Sequence, residues 1–272
     1  MKIGFIGLGS QGTPMAQRII AAGLPLTIWA RRPESLEPFR GTDATVAGSL
    51  PELGAHCDLV CVCVFADQDV EEVVSGPDGL LSAMRPESII AIHSTVNPDT
   101  CRAMAEAAKS KAVHVIDAPV SGAAPAAQAG RLLVMVGGDD ESVTRARPVF
   151  ESFGDPVVHV GPVGSGQLAK LINNVVLTAN FSILVDAVAM SQGFDMLPEV
   201  VLEVLRHGTG GSRAVDLLPD GGSTVAVGER VHPLLGKDAS IAFAVARALG
   251  APIGQLEEVV NHLWDVSGVE TS

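Results

Sequence analysis

The chain is short of positive charge, of cysteine and of long apolar runs, and each shortage removes a class of function. Lys and Arg number 18 against 31 Asp and Glu, a formal net charge of −13. No run of basic residues offsets this; only the pair Arg31-Arg32 stands out. Such a surface repels polyanions, so neither nucleic acid nor a membrane is expected as a partner. No stretch holds the roughly 18 uninterrupted apolar residues of a membrane span. The N-terminal MKIGFIGLGSQG lacks a small-residue cleavage site and runs on into a glycine turn, so it reads as a buried strand rather than a signal peptide. There are four cysteines. Cys61 and Cys63 share one face of the strand-like run DLVCVCVF, and no second pair offers zinc-ligand spacing. They read as reduced core residues of a cytoplasmic protein, and no metal is expected. Internal repeats and low-complexity tracts are also missing.

What is present is core-forming material. Of 272 residues, 47% are hydrophobic and 18% charged, enough for one large domain or two ordinary ones. Short apolar runs (KIGFI, LTIWA, DLVCVCVF, SIIAI, AVHVIDAPV, LLVMVGG, PVVHVG) alternate with helical stretches such as PMAQRIIAAG and NPDTCRAMAEAAKSK. That alternation predicts a parallel sheet with helices on both faces. From Gln167 to about Gln192 neither proline nor glycine occurs, which predicts one long helix. Shorter helical patterns follow (PEVVLEVLRHG, HPLLGKDASIAFAVARALG, PIGQLEEVVNHLW). The segment GTGGSRAVDLLPDGGSTVAVGERV between them reads as loop-rich and mobile. Two domains are expected: an α/β, dinucleotide-binding domain over 1–162 and an all-helical domain over 163–272, joined by the long helix.

KIGFIGLGSQG holds Gly7, Gly9 and Gly12 as GxGxxG, directly after a strand and opening a helix. The motif alone is weak; this context makes it specific. The first glycine permits the turn, the second lets backbone approach a pyrophosphate, and the third packs helix on strand. The loop Gly7, Leu8, Gly9, Ser10, Gln11, Gly12 is therefore expected to cradle a dinucleotide at the helix N-terminus. An ordinary βα turn is the plainer reading. Val64 and Phe65, closing the run DLVCVCVF, are expected along the same cofactor. NAD sites place an acid at the end of the second strand to bind the ribose. Here stand Trp29, Ala30, Arg31 and Arg32, with no acid. Two arginines suit a 2′-phosphate, so NADP(H) is preferred, with NAD(H) still open; a merely solvated arginine is the alternative.

Two further segments close strands. DAPVSGAAPAAQAG puts Ser121 and Gly122 at a strand's carboxyl end, where a hydroxyl and backbone N–H groups suit a substrate carboxylate. HSTVNP puts Ser94 and Thr95 in the corresponding place after SIIAI, beside the expected nicotinamide. Either segment alone could be a capped strand-to-helix turn. GSGQLAKLINN places Lys170, Asn173 and Asn174 at i, i+3 and i+4, on one helix face. A solvated lysine would be unremarkable there. A lysine in a partly buried cleft gives up its proton more readily, which suits acid/base work near neutral pH, and Asn174 suits a substrate hydroxyl or carboxylate.

GFIGLGSQGTPMA, APVSGAAPAAQAGRLLVMVGG, GSGQLAKLINN and LLGKD together resemble the four ordered signatures of the β-hydroxyacid dehydrogenases, over nearly the whole chain. The resemblance implies a Rossmann domain joined by a long helix to an all-α substrate and dimerisation domain. It implies Lys170 as acid/base, Asn174, Ser121 and Gly122 on a small carboxylate substrate, and Thr95 and Lys237 on the cofactor. It also implies a homodimer or homotetramer. Apolar residues on more than one face of the long helix, Leu177, Ile183, Leu184 and Val188 among them, mean that it is either wrapped by its own domain or lies in a subunit interface. The chain departs from the pattern at Gln11 (usually Met), His93 (usually Asp), Ala123 (usually Gly), and Pro125 and Ala126, where another glycine is usual. It also lacks the aromatics often found before Lys237-Asp238. These changes are expected in the pocket wall. Two alternatives keep the scaffold, an imine reductase and a non-catalytic NADP-binding interaction protein; both usually lose the lysine that stands here at 170.

Overall fold

In the computed structural model, which describes residues 1–218 and 224–269, the chain divides into two compact units, Met1–Lys170 and Leu171–Ser272. The first unit is built on β1 (Ile3–Ile6), α1 (Gly12–Ala21), β2 (Leu26–Trp29), β3 (Thr45–Val46), α2 (Leu50–His56), β4 (Leu59–Val62), α3 (Asp67–Ser75) and β5 (Ile89–Ile92). It continues with α4 (Pro98–Lys109), β6 (His114–Asp117), β7 (Val120–Ser121), α5 (Ala123–Gln128), β8 (Leu132–Gly137), α6 (Asp140–Phe150) and β9 (Gly154–Gly161). The sheet order is β3-β2-β1-β4-β5-β6-β8-β7, with β9 on β8. From β3 to β6 every pairing is parallel, the order of a doubly wound dinucleotide fold.

The sheet is not parallel throughout, as the alternation predicted. The run AVHVIDAPV breaks at Ala118-Pro119 into β6 and β7, and both pair antiparallel with β8. Proline there cannot donate to a ladder, which ends the first strand.

β1, β4 and β5 are buried along their whole length. Their side chains alternate between two cores. Phe5, Cys61 and Ala91 pack with α1 and α6 on one face, while Ile6, Val60, Val62, Ile90 and Ile92 pack with α2, α3 and α4 on the other. Runs apolar at every position are what two covered faces require. The cysteines are free thiols; burial pushes Cys57 up to about 11 and Cys63 up to about 12.

α7 (Ser165–Gly193) runs through the division of the units. By compactness the division falls within the helix at Lys170, since the helix's first turn is hydrogen-bonded to β6 of the first unit. By length and composition alone α7 could cross a bilayer, but 56% of that stretch is buried, and its residues Val175, Phe181, Leu184 and Val188 sit in the second unit's core. The second unit adds α8 (Pro198–His207), α9 (Arg213–Asp216), α10 (Thr224–Ala248) and α11 (Leu256–Val266).

The segment expected to be loop-rich is largely helical where it is described. α9 interrupts it and α10 begins at Thr224, well before HPLLGKD, while residues 219–223 lie outside the described residues. Two features override the loop signals. Val227 and Leu235 are buried eight residues apart, on one helix face. Gly228 marks a close approach: a Cβ there would collide with the Ser267 hydroxyl.

Candidate active site

The first unit places the glycine loop between β1 and α1, beside the carboxyl end of β4, where the strand order reverses. Dinucleotides bind doubly wound sheets at that crevice. Gly7 has φ +91°, and a Cβ on it would collide with the Cys63 carbonyl oxygen; one on Gly12 would collide with the Gly7 carbonyl oxygen. These two glycines close the turn and seat the helix. Gly9 is different, since a Cβ there would meet nothing within 4 Å among the described residues. α1 has no acidic residue in its first turn and no side-chain cap, and the Gln11 amide nitrogen Nε2 is buried without a hydrogen-bond partner. Open space at Gly9, free N–H groups at a positive helix end and an unused amide donor fit a pyrophosphate. Leu8 is buried and Ser10 exposed in the same loop; the Leu8 carbonyl accepts from the Thr13 hydroxyl at 3.0 Å.

Ala30, Arg31 and Arg32 follow β2 as the spacing predicts. Arg31 is mostly exposed and loosely paired with Asp69 of α3 at 3.9 Å, a contact not evident from spacing. Val64 is half-buried after β4, and Phe65 is 65% exposed, a large apolar ring facing solvent at the crevice. A hollow of about 330 Å³, lined by Lys2, Pro25, Thr45, Glu52 and His56 among others, lies at the opposite, amino ends of β1 and β2. It has no part in this site.

Ser94 and Thr95 follow β5, with Ser94 buried and Thr95 half-buried. The Ser94 Oγ is buried without a hydrogen-bond partner. Ser121 ends β7, half-buried, and Gly122 follows with φ +129°. Ala123, in place of the usual glycine, holds φ +56°, a left-handed conformation that costs about 1 kcal/mol for a residue with a Cβ.

His93 does not belong to the pocket wall. It is 2% exposed in the core beneath β5, 6.4 Å from the Phe5 ring and edge-on to Phe150 and Phe153 at 5.3 and 5.6 Å. Its Nδ1 lies 2.7 Å from the Ala118 carbonyl oxygen, to which it donates. Burial pushes its pKa down to about 4. Its place after a buried strand puts its ring on the α6 side of the sheet.

Lys170 lies on α7 and is 9% exposed. One turn earlier, the Gln167 side chain accepts from Val96 N–H at 3.1 Å and donates to the Ser94 carbonyl at 2.8 Å. The lysine's helix is thus tied to the turn that holds Thr95. Sequence reasoning missed this glutamine, and also Asp117, which ends β6 fully buried and accepts from Gly164 and Gln167 N–H groups. An acid closing an apolar strand was the available signal.

In the second unit Asn174 is 3% exposed. Its Nδ2 donates to Asp238 Oδ2 at 2.6 Å, and its Oδ1 accepts from Asn173 at 3.0 Å. Lys237 Nζ pairs with Asp238 Oδ1 at 3.5 Å. Asp238, wholly buried, brings Asn174 and Lys237 together. Among the described residues, no group of His, Cys, Asp or Glu could hold a metal ion.

Fold and glycine loop define a dinucleotide-binding protein, and its relatives are NAD(P)-dependent dehydrogenases. Residues 2–161 match the NAD-binding domain of 6-phosphogluconate dehydrogenase, and residues 164–268 match the NAD-binding region of NADP-dependent 3-hydroxyisobutyrate dehydrogenase. The 3-hydroxyisobutyrate dehydrogenase of Pseudomonas aeruginosa is 34% identical over 93% of this chain and 89% of its own length. An NAD-dependent L-serine dehydrogenase of that organism is 34% identical over 79% of this chain and 72% of its own. The structure of a Mycobacterium tuberculosis 3-hydroxyisobutyrate dehydrogenase with L-serine superposes with a TM-score of 0.82, at 27% identity, covering 98% of this chain and 94% of that one. The chain belongs to the β-hydroxyacid dehydrogenase family.

Proposed function

We propose that the protein transfers hydride between NADP(H) and a small β-hydroxy acid or its semialdehyde, with Lys170 as acid/base. The observation that carries this is a lysine 9% exposed on the first turns of α7, tied through Gln167 to the Ser94–Val96 turn at the carboxyl end of β5. The preference for NADP(H) rests on Arg31 and Arg32 after β2, where an acid would serve NAD. The named substrates of the two relatives share one group, a primary alcohol on the carbon β to a carboxylate, which supports the substrate class.

A bound nicotinamide would supply the hydride chemistry, given to or taken from the carbon that bears the reacting oxygen. The chain's own part is to bind, orient and move one proton. Lys170 Nζ protonates the alkoxide oxygen in reduction and takes that proton back in oxidation. Ser121 Oγ and the Gly122 N–H hold the carboxylate, and the second amide N–H of Asn174 holds the substrate. Gly7 to Gly12, Ala30, Arg31, Arg32, Val64, Phe65, Thr95 and Lys237 serve the cofactor. Fixing both partners in one geometry supplies much of the rate. Buried thiols without disulfides suit a cytoplasmic setting, and the family pattern suits a homodimer or homotetramer.

The test is NADPH and NADH oxidation with glyoxylate, succinic semialdehyde, methylmalonate semialdehyde, tartronate semialdehyde and a cyclic imine. Turnover of one short aldehyde acid, faster with NADPH, is expected. Turnover of the imine alone would replace the reading. Lys170→Ala is expected to abolish hydride transfer while NADPH still binds; wild-type turnover in that variant would remove the acid/base assignment.

A further inference from the structure

The helix turn just ahead of Lys170 is held by a carboxylate that no step above uses. Asp117 ends β6 with none of its surface exposed. One oxygen, Oδ1, accepts the Gly164 N–H at 2.6 Å; the other, Oδ2, accepts the Gln167 N–H at 2.7 Å. α7 begins at Ser165, so these are the N–H groups of its N-cap and third residue, two of the donors a helix start leaves without partners. A capping residue and the third residue ordinarily satisfy them locally. Here the N-cap is Gly164, with φ +93° and no side chain, and one aspartate from another strand does both tasks. The third residue's side chain is thereby released. Gln167 spends it on the β5 turn, on Val96 N–H and the Ser94 carbonyl. The surroundings leave room for the carboxylate: a Cβ on Gly137 would come within 2.5 Å of Oδ1, and one on Gly166 within 2.8 Å of Oδ2.

We propose that Asp117 is a positioning residue which, together with Gln167, pins the first turn of α7 to the ends of β5 and β6 and so aims Lys170 at the reacting oxygen. This rests on the reading of Lys170 as the acid/base. The pin needs the carboxylate form, since a protonated oxygen meets an N–H donor with a hydrogen of its own. Burial raises the Asp117 pKa to about 6, against the pull of the Gly164, Gln167 and Gly166 N–H groups. Several ionisable groups lie on the elements packed around it. On α4 they are Cys101, held neutral by burial, Arg102, paired with Asp99, and the surface pair Glu106 and Lys109; β6 itself carries His114, beside Glu87 and Asp139, and β9 carries His159, beside Asp140. After β5 comes His93, neutral, and on α7 Lys170 itself. The carboxylate thus holds the turn at neutral pH and lets go as pH falls through about 6.

The experiment compares wild type, Asp117→Asn and Lys170→Ala with the best substrate of the panel. It also measures amide hydrogen exchange over residues 164–170 in the cofactor-free protein across pH. Asp117→Asn is expected to lower kcat by on the order of 10- to 100-fold with KM for NADPH little changed. At neutral pH its 164–170 amides should show the low protection factors, each taken against the intrinsic exchange rate at that pH, that wild type shows only in acid. The acid-side fall of wild-type kcat should be missing from it. Wild-type kcat with an unaltered acid limb in Asp117→Asn, while Lys170→Ala is inactive, overturns the positioning role and leaves Lys170 in place. Turnover by Lys170→Ala overturns both. Should Asp117→Asn fail to fold, Gln167→Met is read in its place: loss of kcat with faster exchange over 164–170 supports the pin, and wild-type kcat overturns it.

Discussion

His93 sits among three phenylalanines with one nitrogen bonded to a carbonyl and the other, Nε2, buried without a partner. A proton on Nε2 would be a charge in an apolar cage, which is why its pKa falls from 6.5 to about 4. The sign follows from the unfolded chain, which takes up that proton below its ordinary pKa while the fold refuses it. Stability is whole above about 6.5 and is lost as pH falls toward about 4, by about 3 kcal/mol in all. In His93→Phe that contribution is absent. Urea denaturation of both proteins should therefore show their stability difference drifting by about 3 kcal/mol, in the variant's favour, across that window. A pH-independent difference would mean that the ring titrates normally in the fold.

α7 is fixed by different means along its length. Its start is capped from β6, and its continuation is cross-linked to α10 by Asn174 and Asp238. Beyond Asn174 the packing is apolar, through Val175, Ala179, Val185 and Val188. Asp238 is the polar joint of the two helices, accepting from Asn174 and paired with Lys237. Asp238→Ala should destabilise the second unit by about 2 kcal/mol, because the Asn174 amide then loses a charged acceptor inside the core. Lys237, a quarter exposed, can turn to solvent and limits the loss. Chemical denaturation followed by Trp264 fluorescence would measure it, and an unchanged midpoint would show that the joint carries no stability.

At the scale of the whole molecule, α7 has a second apolar face. Ile172, Val176, Ile183 and Met190 are exposed at spacings of four, seven and seven, which places them on one narrow stripe opposite the buried one. A stripe of this kind on a helix already committed to a core suits a second copy of the chain. Ile183→Glu should shift the sedimentation coefficient to that of a monomer at micromolar concentration. A wild-type protein that sediments as a monomer there would remove the oligomer from the proposal.

The sheet was legible because strands covered on both faces are apolar at every position, so β1, β4 and β5 announce themselves as unbroken runs. β3 and β7, at two residues each, are too short for any period to show. α2, α5 and α6 were not singled out either. α5 hides in the small-residue stretch GAAPAAQ, where nothing alternates. Within the candidate site, the glycine loop could be read from spacing, while Lys170 stood out only through the family signature its stretch resembles, since spacing alone fits a solvated lysine equally well. Asp117 and Asp238 could not be read. Each acts on a partner far along the chain, Asp117 on Gln167 and Asp238 on Asn174; an acid closing an apolar run marks Asp117 as unusual, but nothing local names its partner.

Of the three loop glycines, Gly7 and Gly12 belong to the architecture, while Gly9 belongs to whatever lies against it. That makes folding and cofactor capture separable at a single atom. Gly9→Ala should melt like wild type and yet fail to quench on adding NADPH, because its methyl group projects into the space the phosphates need. A chain that is folded but blind to dinucleotide is a control for every later experiment on the protein. It would tell, for any partner or phenotype found later, whether the bound nucleotide or the protein surface is responsible.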